Sequence, residues 1–142
     1  VEDALFDDLE RQARQLTDDP LQTYLVGLKL LEQMLEDMPN GHPGCLIATA
    51  AYQERLFNRD VQEINKQAML NWRERFRLML EDIAKVYPAQ DDVDLDDLSD
   101  MLSVAVEGGI VLAKSVNEPK AVAKQVRMYR SYVKLLFQQP KH

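Results

Sequence analysis

A chain of 142 residues that is 46% hydrophobic and 29% charged has the make-up of one globular domain, able to bury about 68% of its unfolded surface. Its net charge of −7 argues against nucleic-acid binding by the polypeptide alone, because like charge repels a phosphate backbone. One cysteine, Cys45, and two histidines, His42 and His142, leave no internal disulfide and no Cys/His metal cluster, so neither a metal nor a cofactor is expected.

No run reaches the 18 or so apolar residues of a membrane span. The Val-Glu-Asp-Ala start has neither the basic region nor the apolar core of a signal peptide, so a cytoplasmic domain without membrane contact is expected. Residues 4–16 place Leu5, Leu9, Ala13 and Leu16 at helical spacing among charged and amide side chains, which predicts a short helix with one solvated side. Thr17-Asp18-Asp19-Pro20 then punctuates the chain. Asp19 suits an N-cap, Pro20 the first helical position, and Gln22 stands where a capping box requires it. The next helix carries Leu21, Tyr24, Leu25, Leu28, Leu31, Leu35 and Met38 on one face and Val26, Leu30 and Met34 nearly opposite. Contacts on two sides, and hence a central position, are expected of it.

Two prolines and two glycines between Met38 and Gly44 break the pattern. Cys45 to Phe57, with Ala48, Thr49, Ala50 and Ala51, predicts a small-residue helix suited to a close crossing. Asp60-x-x-Glu63 is a second capping box, opening the longest pattern, which runs to about Val86 and ends at Tyr87-Pro88. Along it Val61, Ala68, Met69, Trp72, Phe76, Met79, Leu80 and Ile83 form one stripe, with Arg73, Glu74, Arg77 and Glu81 mostly outside. The acidic loop 89–94 puts carboxylates at the N-terminal end of the following helix, as the macrodipole favours. It lacks the central glycine and distal glutamate of a calcium loop.

From Leu98 to Val116 the polar residues Asp100, Ser103, Glu107 and Lys114, with Asp96 before them, fall into one narrow stripe. Apolar residues cover most of the remaining circumference, more than the roughly 100° that a helix facing a single core needs. This helix is expected to meet a shell of neighbours or a second copy of the chain. Gly108-Gly109 costs about 1 kcal/mol per residue relative to alanine, offset where another backbone or a ligand comes close. After Asn117-Glu118-Pro119, residues 120–137 predict a last helix with Val122, Val126, Tyr129, Val133, Leu136 and Phe137 in one row. Ala121, Met128, Tyr132 and Leu135 lie in the adjacent row, with Lys120, Lys124, Arg127, Arg130 and Lys134 on the other side.

Enzyme chemistry finds little support. Neither histidine follows a glutamate at the spacing of a di-iron bundle, and no phosphate loop, serine elbow or zinc-protease motif is present. Cys45 with His42 fits inert packing better than a nucleophile and its base. The aromatic and methionine inventory suits a pocket for an apolar or aromatic molecule. Tyr24, Leu28, Trp72, Phe76, Met79, Met101 and Ala105 are its expected lining, and Val104, Gly108, Val111, Tyr129, Tyr132, Val133 and Leu136 an expected dimer interface.

The order of segments completes the reading: a short amphipathic helix, a Pro-initiated helix, a turn His42-Pro-Gly-Cys-Leu46 opening a small-residue helix, and a long helix with Asn71-Trp72-Arg73-Glu74-Arg75-Phe76. An acidic loop follows, then Leu98-Ser-Asp-Met-Leu102 with Glu107-Gly108-Gly109 and Leu112-Ala113, and a final helix. This resembles the C-terminal regulatory domain of the tetracycline-repressor (TetR) family over essentially the whole chain. The resemblance implies an all-α bundle of about six helices whose last two, residues 95–116 and 120–137, form an intersubunit four-helix bundle in a homodimer. It further implies a small effector between the earlier helices, repression of transcription, and operator DNA read by an N-terminal helix-turn-helix domain that does not precede Val1. Effector binding would move the first helix, which in such proteins leads back to the DNA reader, and so alter reader spacing across half-sites. The competing expectation is a helical interaction or dimerisation module without a ligand.

Overall fold

The computed structural model describes residues 2–38 and 59–137, and among them helices are the sole regular elements, with no strand. Five helices follow in order: α1 (Glu2–Leu16), α2 (Pro20–Glu36), α3 (Arg59–Val86), α4 (Leu95–Ser115) and α5 (Ala121–Leu136). The small-residue helix expected over Cys45 to Phe57 lies outside the described residues, as does the His42-Cys45 pair. No described helix is long and apolar enough to cross a membrane, and no three metal-ligating side chains gather among the described residues.

The helix ends obey local chemistry. Asp19 caps α2, its Oδ2 accepting from Gln22 N at 3.0 Å, with Pro20 at the first helical position. Only half of a capping box forms, because Asp19 N–H donates to Thr17 Oγ1 instead of to Gln22. Asp94 caps α4 by accepting from Asp97 N at 3.0 Å. Asp60 lies inside α3 as described, not before it, so it is not the cap of that helix. Beyond α4, Asn117 adopts a left-handed φ of 54° while Glu118 N–H reaches back to Ala113 O. Asparagine tolerates that conformation better than most residues, so the chain reverses tightly into α5.

α5 packs against both α2 and α4, α3 lies along α4 with its flank on α2, and α1 crosses α2. The core sits where the α2 row meets α5: Leu25, Leu28, Val126, Tyr129 and Val133 are all buried, with Leu80 and Ile83 of α3 closing one side. Each such aliphatic side chain contributes about 1.5–3 kcal/mol relative to exposure. The expected two-sided character of α2 holds in graded form, its main row buried and Val26, Leu30 and Met34 half-buried. Leu16 departs from its assigned stripe, being 71% exposed at the end of α1.

The two glycines of α4 have different surroundings. A Cβ at Gly109 would stand 2.8 Å from Val122 Cα, so α4 and α5 touch there backbone to backbone. A Cβ at Gly108 meets nothing within 4 Å. Gly109→Ala is therefore expected to force the helices apart at a cost of about 1–3 kcal/mol, outweighing its gain in helix propensity. Gly108→Ala should leave the fold unharmed or strengthen it by up to about 1 kcal/mol. Urea denaturation of the two variants at low protein concentration checks the opposite signs, and equal midpoints would refute the close crossing.

Candidate functional site

Where α1, α2, α3 and α4 meet, the side chains leave a cavity of about 100 Å³. Phe6, Met34, Trp72, Phe76, Leu102 and Val106 supply most of its wall, and Ser103 and Glu107 its polar edge. Phe6 is the divider. Its ring stands edge-on to Trp72 at 6.4 Å between centroids and to Phe76 at 5.3 Å, geometry that adds about 0.5–1.5 kcal/mol per pair beyond area burial. On the other side of Phe6 and Phe76 lies a smaller void of about 40 Å³, reached by Tyr24, Leu28, Met79 and Gly27.

The expected lining is thus divided three ways. Tyr24, Leu28, Phe76 and Met79 border the smaller void, and Trp72 and Phe76 the larger cavity. Met101 and Ala105 are on the far side of α4, in a groove between α4 and α5 that also takes in Val104, Gly108, Val111 and Tyr132. The helical period explains this: Leu102, Ser103, Val106 and Glu107 centre on one side of α4, and Met101, Val104, Gly108 and Val111 on the opposite side. Phe6 was not among the expected lining residues, although its spacing to Leu9 and Ala13 repeats the helical period as well as that of Leu5 does.

The α4–α5 groove is apolar and uncovered. Val104 is 67% exposed, Met128 63% and Leu135 65%, with Met101, Val111, Leu112 and Val116 also open to solvent. Of the expected interface residues, Val104, Gly108 and Val111 face outward and Tyr132 is half-buried. Val133 and Leu136 do not reach that surface, and Tyr129 touches only the floor of the groove while staying 1% exposed, because their row on α5 is consumed within the chain.

Polar groups fix these faces. Tyr24 donates its hydroxyl to Tyr129 Oη at 2.7 Å, and Tyr129 donates to Leu98 O at 3.1 Å, a buried relay through α2, α5 and α4. The order follows from the carbonyl, which can only accept. Arg73 grips Asp100 with two bonds of 2.9 Å, and Ser99 Oγ donates to Arg73 O at 2.8 Å, fastening α3 to α4. Arg75 reaches Asp7 at 2.8 Å and Glu10 at 3.1 Å, fastening α3 to α1. Tyr87 donates to the free oxygen of the Asp19 cap at 2.9 Å, and that carboxylate raises the Tyr87 phenol pKa.

No family model matches the chain, and neither a curated protein nor a solved structure does.

Burial pushes both relay phenols above their ordinary value. In the unfolded chain they ionise near pH 10, so the folded state holds the protons more tightly. Their contribution to stability is complete below about pH 10 and is lost as pH rises beyond it. Phenolate absorbance from Tyr24 and Tyr129 is expected to appear only together with loss of helical circular dichroism. Tyr129→Phe strands the Tyr24 hydroxyl in the core and should cost about 1–3 kcal/mol, whereas Tyr24→Phe leaves the bond to Leu98 intact and should cost about 1 kcal/mol. The reverse order of unfolding midpoints would refute the relay.

Proposed function

We propose that this chain is the effector-binding and dimerisation domain of a TetR-like transcriptional regulator acting in the cytoplasm, its operator read by a helix-turn-helix domain outside these residues. The observation that carries the reading is the pairing, on opposite sides of α4, of a ring-lined cavity and an uncovered apolar face. Monomeric proteins rarely leave a contiguous apolar patch of this kind in water, and such patches mark contact surfaces. A second copy supplies a matching face by symmetry, since a two-fold interface joins the same patch to itself.

The cavity gives the domain something to sense. A small apolar or aromatic molecule entering beside Trp72 displaces the Phe6 ring, which is carried by α1. Because α1 is tied to α3 through Arg75 with Asp7 and Glu10, its displacement has a defined resting state to leave. On the TetR resemblance α1 leads toward the DNA reader, so the ring shift becomes a change in reader spacing. Electrostatics supports the division of labour, the net charge of −7 leaving operator affinity to the other domain.

A second reading, dimerisation without a ligand, draws on the cavity's size. At about 100 Å³ it falls below the roughly 300–1,000 Å³ of drug-sized sites, although a ring the size of benzene fits engineered cavities of about 150 Å³.

Sedimentation at tens of micromolar is expected to show a dimer that Val104→Glu or Met128→Glu converts to a folded monomer. A wild-type monomer would overturn the interface. Trp72 is the sole tryptophan, and its fluorescence should respond saturably to small aromatic compounds. Phe76→Ala should change that response more than any surface substitution does. A screen of such compounds without a saturable change would leave dimerisation as the only role.

A further inference from the structure

The polar edge of the cavity carries one sign of charge. Glu107 lines it beside Ser103, and among the described residues no lysine or arginine does. Among the described residues none of the ion pairs involves Glu107. Lys66 and Arg73 share an outer groove with Glu107, but Arg73 is committed to both oxygens of Asp100. The remainder of the wall is three aromatic rings, two methionines and the aliphatic side chains of α1, α2 and α4, and the electron-rich faces of the rings attract a cation and repel an anion.

We propose that the cavity takes a one-ring organic ammonium cation, its ring among Phe6, Trp72 and Phe76 and its charge turned to the Glu107 carboxylate. The inference rests on the reading of this cavity as the ligand site and names the charge of what it selects. Glu107 is half-buried, so an ammonium at the edge keeps water on its outer side and avoids most of the desolvation cost of a deep ion pair. The carboxylate and the ring faces then act together in a partly desolvated place, where each exceeds its value on an open surface. A benzoate of the same size would set its charge against Glu107 and against the net −7 of the chain.

Titration of Trp72 fluorescence with benzylammonium, toluene and benzoate tests the proposal on the intact chain. Benzylammonium is expected to bind about tenfold more tightly than toluene, and benzoate not to saturate. Glu107→Gln should erase the preference for benzylammonium while leaving toluene binding unchanged. Glu74→Gln, which removes the same charge from the exposed side of α3, should retain it. Toluene binding as well as or better than benzylammonium overturns the cation assignment and leaves the cavity reading standing. Equal loss in both variants overturns the role of Glu107, and failure of all three probes to saturate overturns the cavity reading itself.

Discussion

The buried hydroxyl relay from Tyr24 through Tyr129 to the Leu98 carbonyl is the constraint on which the rest of the arrangement depends. Apolar faces alone tolerate sliding, since leucine against leucine is nearly as favourable one position along. Two phenols buried to 3% and 1% exposure are different. Each must meet a partner at hydrogen-bond distance or leave a polar group stranded at a cost of about 1–3 kcal/mol. The relay therefore sets the register of α2, α5 and α4 against one another, and Gly109 against Val122 sets how closely α4 and α5 approach. Arg130 Nε donating to Leu25 O at 3.1 Å repeats the α5–α2 register at the very next residue of each helix.

On that three-helix frame α3 is placed by charge as much as by apolar contact. Arg73 pairs with Asp100 and Arg77 with Asp96: four residues forward on α3 answer four residues back on α4, as antiparallel helices require. These side chains are 31–49% exposed, so each pair contributes little to stability. Their value lies in direction, because a parallel or shifted α3 would bring Arg73 and Arg77 opposite apolar turns of α4. Arg75, between them in sequence, points the other way and holds α1. One short run of α3 thus fixes both walls of the cavity, leaving Trp72 and Phe76 between the two sets of ion pairs.

Much of this was legible in sequence. The Asp19-Pro20 start of α2, the Tyr87-Pro88 end of α3 and the acidic entry to α4 are local signals, and local chemistry decides them. The buried row of α5 was likewise read correctly as apolar, from Val122 through Val133 to Leu136. Its destination was not legible, because periodicity reports that a face is apolar and not whether the chain's own helices or another molecule cover it. Tyr129, Val133 and Leu136 turned inward to α2, while Met128 and Leu135, one row across, stayed open. Met101 and Ala105 illustrate the same limit within one helix: both are apolar residues of α4, yet they sit in the groove and not in the cavity. Arg73 and Arg77 stand outside the apolar stripe in the sequence, and their partners lie 27 and 19 positions away, a pairing no local pattern encodes.

The distribution of side chains on α4 also bears on how a displacement at one of its faces would reach the other. α4 presents Leu102, Val106 and Glu107 to the cavity and Val104, Gly108 and Val111 to the open groove, so no other element separates the two surfaces. A helix is stiff across its diameter, and packed interiors transmit a displacement instead of absorbing it. α4 is pinned at two places, by Ser99 and Asp100 to α3 and by Gly109 to α5. The segment 101–108 between those fixed points carries both the cavity wall and the centre of the groove. A ligand that shifts this segment by a fraction of an ångström changes the shape of the surface offered to a partner, and a partner seated on that surface resists the shift. Linkage between two sites is reciprocal, so any effect of an occupied cavity on a partner's affinity is matched by the same factor in the other direction.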